Sequence, residues 1–196
     1  RMPFQPLKLC LSLQPDSYDH LLPLLRTGDK ADLIELRLDT MGKVPFDEIR
    51  NITDKPLIVT LRRPEEGGFW KGSEMDRIKM FRNAIESGVT YIDLEWNTAA
   101  AVIPQLKFTE KAKLILSHHT SDNDPRKLKK TLREMLNIPA DIYKLVYRAD
   151  KLNDSASIFD LINIVKHTGK EYIIHAMGDD GRVSRLLGAL AGNAWT

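Results

Sequence analysis

The sequence predicts an α/β fold with a parallel sheet, and three observations support this prediction. Short apolar runs alternate seven times with longer helical patterns, the rhythm of parallel strands joined by right-handed crossovers. Strand after strand becomes polar on one face toward its C-terminal end, where barrel enzymes carry their active sites. The turn at residues 14–17 contains none of the glycines that a nucleotide-binding doubly wound sheet needs there. We therefore expect a (β/α)8 TIM barrel.

The elements follow from hydrophobic periodicity and from turn residues. Seven short apolar runs are the predicted strands: residues 7–13, 33–38, 57–62, 91–96, 114–119, 142–147 and 172–177. Seven segments of helical period are the predicted helices: residues 18–27, 46–51, 74–87, 98–106, 125–136, 158–168 and 182–189. The predicted N-caps are Ser73, Asp124 and either Asp154 or Ser155, and the predicted C-caps are Gly28, Gly88 and Gly169.

Composition limits the classes of function. The 196 residues are 42% hydrophobic, which suits one domain spanning residues 1–196. Lys and Arg total 29 against 27 for Asp and Glu, so the net charge of +2 gives no reason to expect nucleic acid or an anionic membrane. The single cysteine, Cys10, excludes an intramolecular disulfide and suits a cytoplasmic protein, with the thiol buried and inert.

Polar residues share one face in most of the predicted strands, because side chains alternate along a strand. These residues are Glu35, Arg37 and Asp39; Thr60 and Arg62; Asp93 and Glu95; Ser117 and His119; and His175, which shares its face with the apolar Met177. A strand covered by helices is usually apolar on both faces, so this pattern indicates a polar site at the C-terminal end of the sheet.

Lys144, in the predicted strand of residues 142–147, is the most informative residue of the chain. An exposed lysine has a pKa near ~10.4, whereas burial among residues such as Ile142 and Leu145 favours the neutral amine. A neutral amine attacks carbonyl carbon and forms a Schiff base. The sequence therefore suggests covalent chemistry at Lys144, provided that its pKa is lowered.

His119 and Glu66 are the candidates for moving protons beside Lys144. His119 lies on the polar face with Ser117, whereas His118 alternates to the apolar face, so His119 is the predicted general base. Glu66 follows the third strand and is a carboxylate that orients this histidine. The two adjacent histidines have no third ligand at metal-like spacing, so we expect no zinc. Arg37, Arg62 and Arg185 are candidates for binding a substrate carboxylate or hydroxyl groups.

The chain resembles the type I 3-dehydroquinate dehydratases (3-dehydroquinases) from residue 9 to residue 196. The resemblance is carried by the order of these motifs: Glu35-Leu36-Arg37, Arg62 with Glu65-Glu66-Gly67-Gly68, Asp93-Leu94-Glu95, Ser117-His118-His119, Lys144, Met177-Gly178 and Val183-Ser184-Arg185. The resemblance implies a (β/α)8 barrel, usually dimeric, that acts in the shikimate pathway without metal or cofactor.

The resemblance also implies roles for individual residues. Lys144 would form the Schiff base with the C3 ketone of 3-dehydroquinate, and His119 would remove the C2 proton and help the C1 hydroxyl to leave. Glu66 would position His119. The residues expected to contact substrate are Arg185 at the carboxylate and Glu35, Arg37, Arg62 and Ser12 at the hydroxyl groups and the pocket.

Two departures from the family pattern concern the ends of the chain. Family members usually continue past the position of Thr196 into a last strand and a closing loop, and they often carry an N-terminal hairpin. We therefore expect a C-terminally incomplete barrel that lacks the last strand and helix and that hairpin. In some relatives the barrel is fused to shikimate dehydrogenase.

Two other readings remain open. The first is another class I aldolase-like Schiff-base lyase, which Asp179 and Asp180 disfavour because they stand where a sugar phosphate would bind. The second is a non-catalytic barrel domain.

Overall fold

The computed structural model describes residues 7–106, 108 and 111–196, and its central feature is one parallel sheet of seven strands. The strands pair in chain order, each in parallel with the next. They are β1 (Cys10–Leu13), β2 (Leu33–Arg37), β3 (Leu57–Thr60), β4 (Tyr91–Glu95), β5 (Lys113–Thr120), β6 (Ile142–Arg148) and β7 (Glu171–Met177). The predicted α/β class and parallel sheet are confirmed.

One helix follows each strand along the chain. The helices are α1 (Tyr18–Thr27), α2 (Phe46–Ile52), α3 (Glu74–Glu86), α4 (Trp96–Val102), α5 (Pro125–Met135), α6 (Ser157–Lys166) and α7 (Arg182–Ala191). No described helix is long and apolar enough to cross a membrane.

Three of the six predicted helix caps are confirmed. Ser73 caps α3 through a reciprocal pair of hydrogen bonds with Asp76, Asp124 caps α5, and Gly28 is the C-cap of α1. The predicted C-caps Gly88 and Gly169 lie one and two residues after the observed caps of α3 and α6, Ser87 and His167, in the left-handed conformation. The prediction that Asp154 or Ser155 caps α6 is wrong, because both lie inside a 3₁₀ turn (Leu152–Ala156) that continues directly into the helix.

Alternation along the strands divides the core into two apolar clusters. The larger cluster lies between the sheet and the helices and includes Leu36, Leu94 and Leu116. The smaller cluster lies on the opposite face of the sheet and contains Leu33, Ile58, Ile115, Ile142, Ile173 and Trp195. We call the face that carries the smaller cluster the inner face. The polar residues predicted to share a face occur on it two and four positions further along each strand.

Residues 193–196 connect the two edge strands of the sheet. The backbone N–H of Ala194 donates to Tyr172 in β7 (2.8 Å). On the other side, the N–H of Cys10 in β1 donates to Thr196 (2.8 Å), and the N–H of Thr196 donates to Lys8 (3.0 Å). Trp195 packs against Tyr91 in the smaller cluster, with ring centroids 5.3 Å apart. This segment therefore occupies the place between β7 and β1.

Candidate active site

A buried carboxylate, Asp93, holds the centre of the inner face together. It lies in β4 and accepts hydrogen bonds from Arg62 Nη2 (2.7 Å), Ser117 Oγ (2.6 Å) and Lys144 Nζ (3.0 Å). These donors come from the strands or strand ends on both sides of β4 in the sheet. Asp93 therefore links the basic residues of the site, although sequence reasoning placed it on the polar face without a role.

Lys144 lies in β6 with only 12% of its side chain exposed. Its amine contacts two carboxylates, Asp93 at 3.0 Å and Glu35 at 3.6 Å. Glu35 is itself fixed, because Thr60 Oγ1 donates a 2.8 Å hydrogen bond to it. The predicted burial of Lys144 is thus observed, and the partners of its amine are anions.

These anions reverse the expected direction of the Lys144 pKa. Burial lowers the pKa, but the negative charges of Asp93 and Glu35 outweigh burial and raise it above its ordinary value. The expectation of a lowered Lys144 pKa is therefore wrong for this structure, because it rested on burial and left out the two carboxylates. The resting amine is an ammonium ion.

Glu66 lies in a 3₁₀ turn (Pro64–Glu66) after β3 and contacts both histidines near the end of β5. Its Oε1 accepts from His118 Nδ1 (2.8 Å), and its Oε2 accepts from the backbone N–H of His119 (2.8 Å). Burial by itself raises the pKa of Glu66, but the hydrogen bonds from His118 and His119 outweigh burial and lower the pKa to about 2. Glu66 is therefore an anion at neutral pH.

The contact between Glu66 and the His119 ring is longer than expected. Oε2 lies 3.5 Å from His119 Nδ1, beyond a good hydrogen bond, and this buried nitrogen has no hydrogen-bond partner in the described part of the chain. Burial and the positive charge of Arg62 lower the pKa of His119 to about 4. The ring is thus neutral near pH 7, as a general base must be.

Arg62 and Arg37 are engaged by the protein. Buried Arg62 donates to Asp93 and to Ser117 Oγ (2.8 Å) and lies 3.5 Å from Glu95. Arg37 forms a two-pronged pair with Asp39 at 2.9 and 3.0 Å. Both lie where the sequence predicted, but their guanidinium groups are held by carboxylates of the chain.

Arg185 and Ser12 differ from Arg62 and Arg37 in that their side chains are exposed. Arg185 is exposed on α7 and lines an open pocket with Met177 and Gly178. Ser12 is exposed in β1. Neither side chain forms a hydrogen bond or ion pair with residues 7–106, 108 or 111–196. Both are therefore available to a ligand, which suits the predicted contacts with substrate.

His175 is a partly buried histidine for which the sequence predicted a face but no role. Its Nδ1 is buried and finds no partner among the residues that the structure describes. Burial and the positive charges of Arg185 and Lys144 lower its pKa to about 3. A second neutral imidazole therefore stands near the lysine, and its signal in the sequence was the alternation with Met177.

Metal binding has no support in the arrangement of side chains. Within the described ranges, no group of three or more His, Cys, Asp or Glu side chains is arranged to hold a metal ion. Burial raises the pKa of Cys10 to about 12, so its thiol stays protonated.

Comparisons with known proteins agree with one another. The chain matches the family model described as type I 3-dehydroquinase over residues 9–196. A 3-dehydroquinate dehydratase of Dehalococcoides mccartyi strain 195 is 35% identical over 174 residues, which are 88% of this chain and 77% of that protein. One of Methanocaldococcus jannaschii is 31% identical over 198 residues, covering 96% of this chain and 86% of the relative.

Solved structures show the same fold. The type I 3-dehydroquinate dehydratase of Clostridium difficile superposes with a TM-score of 0.84 at 23% identity, covering 96% of this chain and 82% of that one. The dehydroquinate dehydratase and shikimate dehydrogenase of S. pombe has a TM-score of 0.80 at 24% identity, covering 95% of this chain but 39% of that longer one. With the family model matching nearly every residue and curated relatives above 30% identity, this chain belongs to the type I 3-dehydroquinase family.

Proposed function

We propose that this protein is a 3-dehydroquinate dehydratase of the shikimate pathway, a hydro-lyase that converts 3-dehydroquinate to 3-dehydroshikimate through a Schiff base on Lys144. Family membership supports the activity. The observation that carries the mechanism is the buried amine of Lys144, held 3.0 Å from Asp93 on the inner face that also carries His119.

Substrate binding is proposed to begin with its carboxylate at Arg185, whose guanidinium has no partner in the described ranges. Glu35, Arg37, Arg62 and Ser12 would contact the hydroxyl groups and line the pocket. Because Arg37 and Arg62 are already paired with Asp39 and Asp93, they would offer only the N–H groups that these carboxylates leave free.

Schiff-base formation requires Lys144 to lose the proton that Asp93 and Glu35 stabilise. The neutral amine then adds to the C3 carbonyl, and loss of water leaves a protonated iminium. The iminium carries the same positive charge in the same place, so Asp93 and Glu35 stabilise it as they stabilised the ammonium. The carboxylates that oppose deprotonation thus favour the covalent intermediate.

Dehydration is proposed to use His119 twice. The iminium accepts the electron pair of the broken C2–H bond and becomes an enamine, while neutral His119 takes the proton. The imidazolium returns this proton to the C1 hydroxyl, which leaves as water as the iminium reforms. Anionic Glu66 would stabilise the imidazolium. Hydrolysis of the iminium consumes the water released at its formation and frees the lysine, so the net loss is one water.

The finer features expected from the resemblance are part of the same proposal. We propose a (β/α)8 barrel in which residues 193–196 take the place of the eighth strand. The homodimer implied by the resemblance and the cytoplasmic location that the single cysteine suits are proposed with it. The S. pombe protein joins a dehydroquinate dehydratase to a shikimate dehydrogenase, which supports a fusion as one form in which such a domain occurs.

Turnover assays test this function. Purified protein should convert 3-dehydroquinate, and His119→Ala should lower kcat by about 10²-fold to 10⁴-fold, as loss of a general acid–base does. The same variant should still form the Schiff base, because His119 acts after Lys144. Cleavage of a sugar phosphate without dehydration of 3-dehydroquinate would contradict the proposal and favour the aldolase reading.

A further inference from the structure

Two histidines share the Glu66 carboxylate, and the closer imidazole is the one that the proposed mechanism does not use. His118 Nδ1 lies 2.8 Å from Oε1, whereas His119 Nδ1 lies 3.5 Å from Oε2. Oε2 also accepts from the His119 backbone (2.8 Å) and lies 3.8 Å from Arg62 Nη1. Glu66 is therefore fixed mainly by the His118 ring and the His119 backbone.

The hydrogen bond between His118 and Glu66 has a defined direction. Glu66 is ionised and its oxygens only accept, so His118 Nδ1 carries the hydrogen and donates it. The rings of His118 and Trp96 pack in a T-shaped arrangement, with centroids 5.9 Å apart at 82°. His118 is thus held in one orientation between an aromatic ring and a carboxylate.

We propose that His118 is a positioning residue for the dehydration, whose Nδ1–H fixes one oxygen of Glu66 so that the other stays directed at His119. The inference rests on the proposed function. Without this donor, a largely buried carboxylate would lose its shortest side-chain hydrogen bond and could rotate about its last torsion. His119 would then lose the anion that stabilises its protonated form after C2–H cleavage.

Two replacements separate the hydrogen bond from the bulk of the ring. Asn carries its amide nitrogen on Cγ, where His carries Nδ1, so His118→Asn keeps a donor in the same place. His118→Leu keeps apolar bulk against Trp96 and removes the donor. We expect His118→Leu to lower kcat by about 10-fold to 150-fold, as for one lost hydrogen bond to a charged group, with little change in KM. His118→Asn should recover most of this loss.

A double-mutant cycle with Glu66→Gln tests whether His118 acts through Glu66. His118→Leu should cost much less in the Glu66→Gln background, because residues that act through one contact are not additive. His167→Leu, at an exposed histidine after α6, controls for the replacement itself. Equal losses in both backgrounds, full activity of His118→Leu, or failure of Asn to improve on Leu would each overturn the inference.

A readout that needs no turnover keeps this inference separate from the proposed function. In a ¹³C NMR titration of the Glu66 carboxyl, His118→Leu should raise the pKa of Glu66 and His118→Asn should keep it low. An unchanged pKa in His118→Leu would overturn the positioning role even in active enzyme. A protein that shows the predicted titrations but does not dehydrate 3-dehydroquinate would contradict only the proposed function.

Discussion

Lys144 is the residue on which the proposed chemistry depends most, and its charge is set by its neighbours. Asp93 and Glu35 keep the amine protonated at rest against the desolvation of a buried site. The same two anions stabilise an iminium formed at that nitrogen. The arrangement therefore favours the cationic covalent intermediate and requires an early proton transfer from the lysine.

Replacing Asp93 tests this balance of charges. Asp93→Asn keeps the shape of the side chain but removes the anion 3.0 Å from the amine, so the pKa of Lys144 should fall. The rate of adduct formation with 3-dehydroquinate should then reach its plateau at lower pH than in the wild type. Glu35→Gln, which removes the anion at 3.6 Å, should shift the profile less. An unchanged pH profile in Asp93→Asn would contradict the electrostatic account.

The members of the site were more predictable from the sequence than their contacts. Alternation predicted that Glu35 shares a face with Arg37 and that Asp93 shares one with Glu95, because a period of two is a local property of the chain. The bond from His118 to Glu66 was not predictable from alternation. Alternation predicts the face on which each side chain of a strand lies. Glu66 instead lies in the turn after β3, and it contacts His118 and His119, which are on opposite faces of β5. The roles of these residues remain predictions.

At the scale of elements, the turn after β3 holds Glu66 in place. Backbone hydrogen bonds run from Gly68 to Arg63 (2.9 Å) and from Trp70 to Arg62 (3.1 Å), and the N–H of Phe69 donates to Asp39 (2.9 Å). The segment is thus anchored to the ends of β2 and β3. Gly68 is explained by close packing against the backbone of Arg62, and Gly67 by its left-handed backbone conformation (φ 78°).

Gly68→Ala tests this packing. An added Cβ would overlap the carbonyl group of Arg62, so the turn must shift, and we expect a loss of about 1–3 kcal/mol in the free energy of unfolding. Because the shift displaces Glu66, kcat should fall as well. Gly42→Ala is the matched control, since its Cβ would meet nothing within 4 Å. Denaturant unfolding and turnover assays report both effects, and equal behaviour of the two variants would contradict the packing role.

The boundaries of the elements were predictable where a local signal marks them. Ser73 and Asp124 begin helices because their side chains accept backbone hydrogen bonds of the first turn. The start of α6 was not found because it has no side-chain cap, and the preceding 3₁₀ turn supplies the continuity. Strand β3 ends at Thr60 and is shorter than predicted. The prediction was too long because the apolar–polar alternation continues to Arg62, beyond the last residue of the strand.

At the scale of the whole molecule, the alternation of side chains along the strands produces both apolar clusters and the candidate active site on the inner face. Residues such as Ile115 and Ile173 fill the inner face at the start of the strands, and polar residues follow on the same face toward the strand ends. The order of strands follows from short crossovers of one hand and was predictable. The hydrogen bonds that residues 193–196 form with both edge strands were not predictable from the sequence, because they depend on partners that are distant along the chain.

Two partly buried histidines, His119 and His175, make the stability of the whole fold depend on pH. The pKa of His119 is about 4 and that of His175 about 3, against 6.5 in an unfolded chain, so folding favours the neutral rings. This stabilisation is complete above the unfolded pKa and is lost as pH falls toward the folded values. Between pH 7 and pH 5 each ring should reduce the free energy of unfolding by about 2 kcal/mol.

His175→Gln isolates one of these contributions. Glutamine is polar but does not titrate, so the variant should lose less stability than the wild type over the same pH range, by about 2 kcal/mol. The contribution of Glu66 is lost mainly below its unfolded pKa of 4.5 and does not obscure this interval. Denaturant unfolding at pH 7 and pH 5 measures the difference. Identical pH dependence in both proteins would mean that His175 does not resist protonation in the folded state.

The Schiff-base mechanism requires a covalent adduct on Lys144, and trapping this adduct tests the mechanism directly. Protein incubated with 3-dehydroquinate and sodium borohydride is analysed by intact mass spectrometry and peptide mapping, with Lys144→Met as the control. We expect one reduced adduct of substrate or product, located on the peptide that contains Lys144 and absent from the control. An adduct on another lysine, or none in folded protein that dehydrates 3-dehydroquinate, would contradict the Schiff-base mechanism.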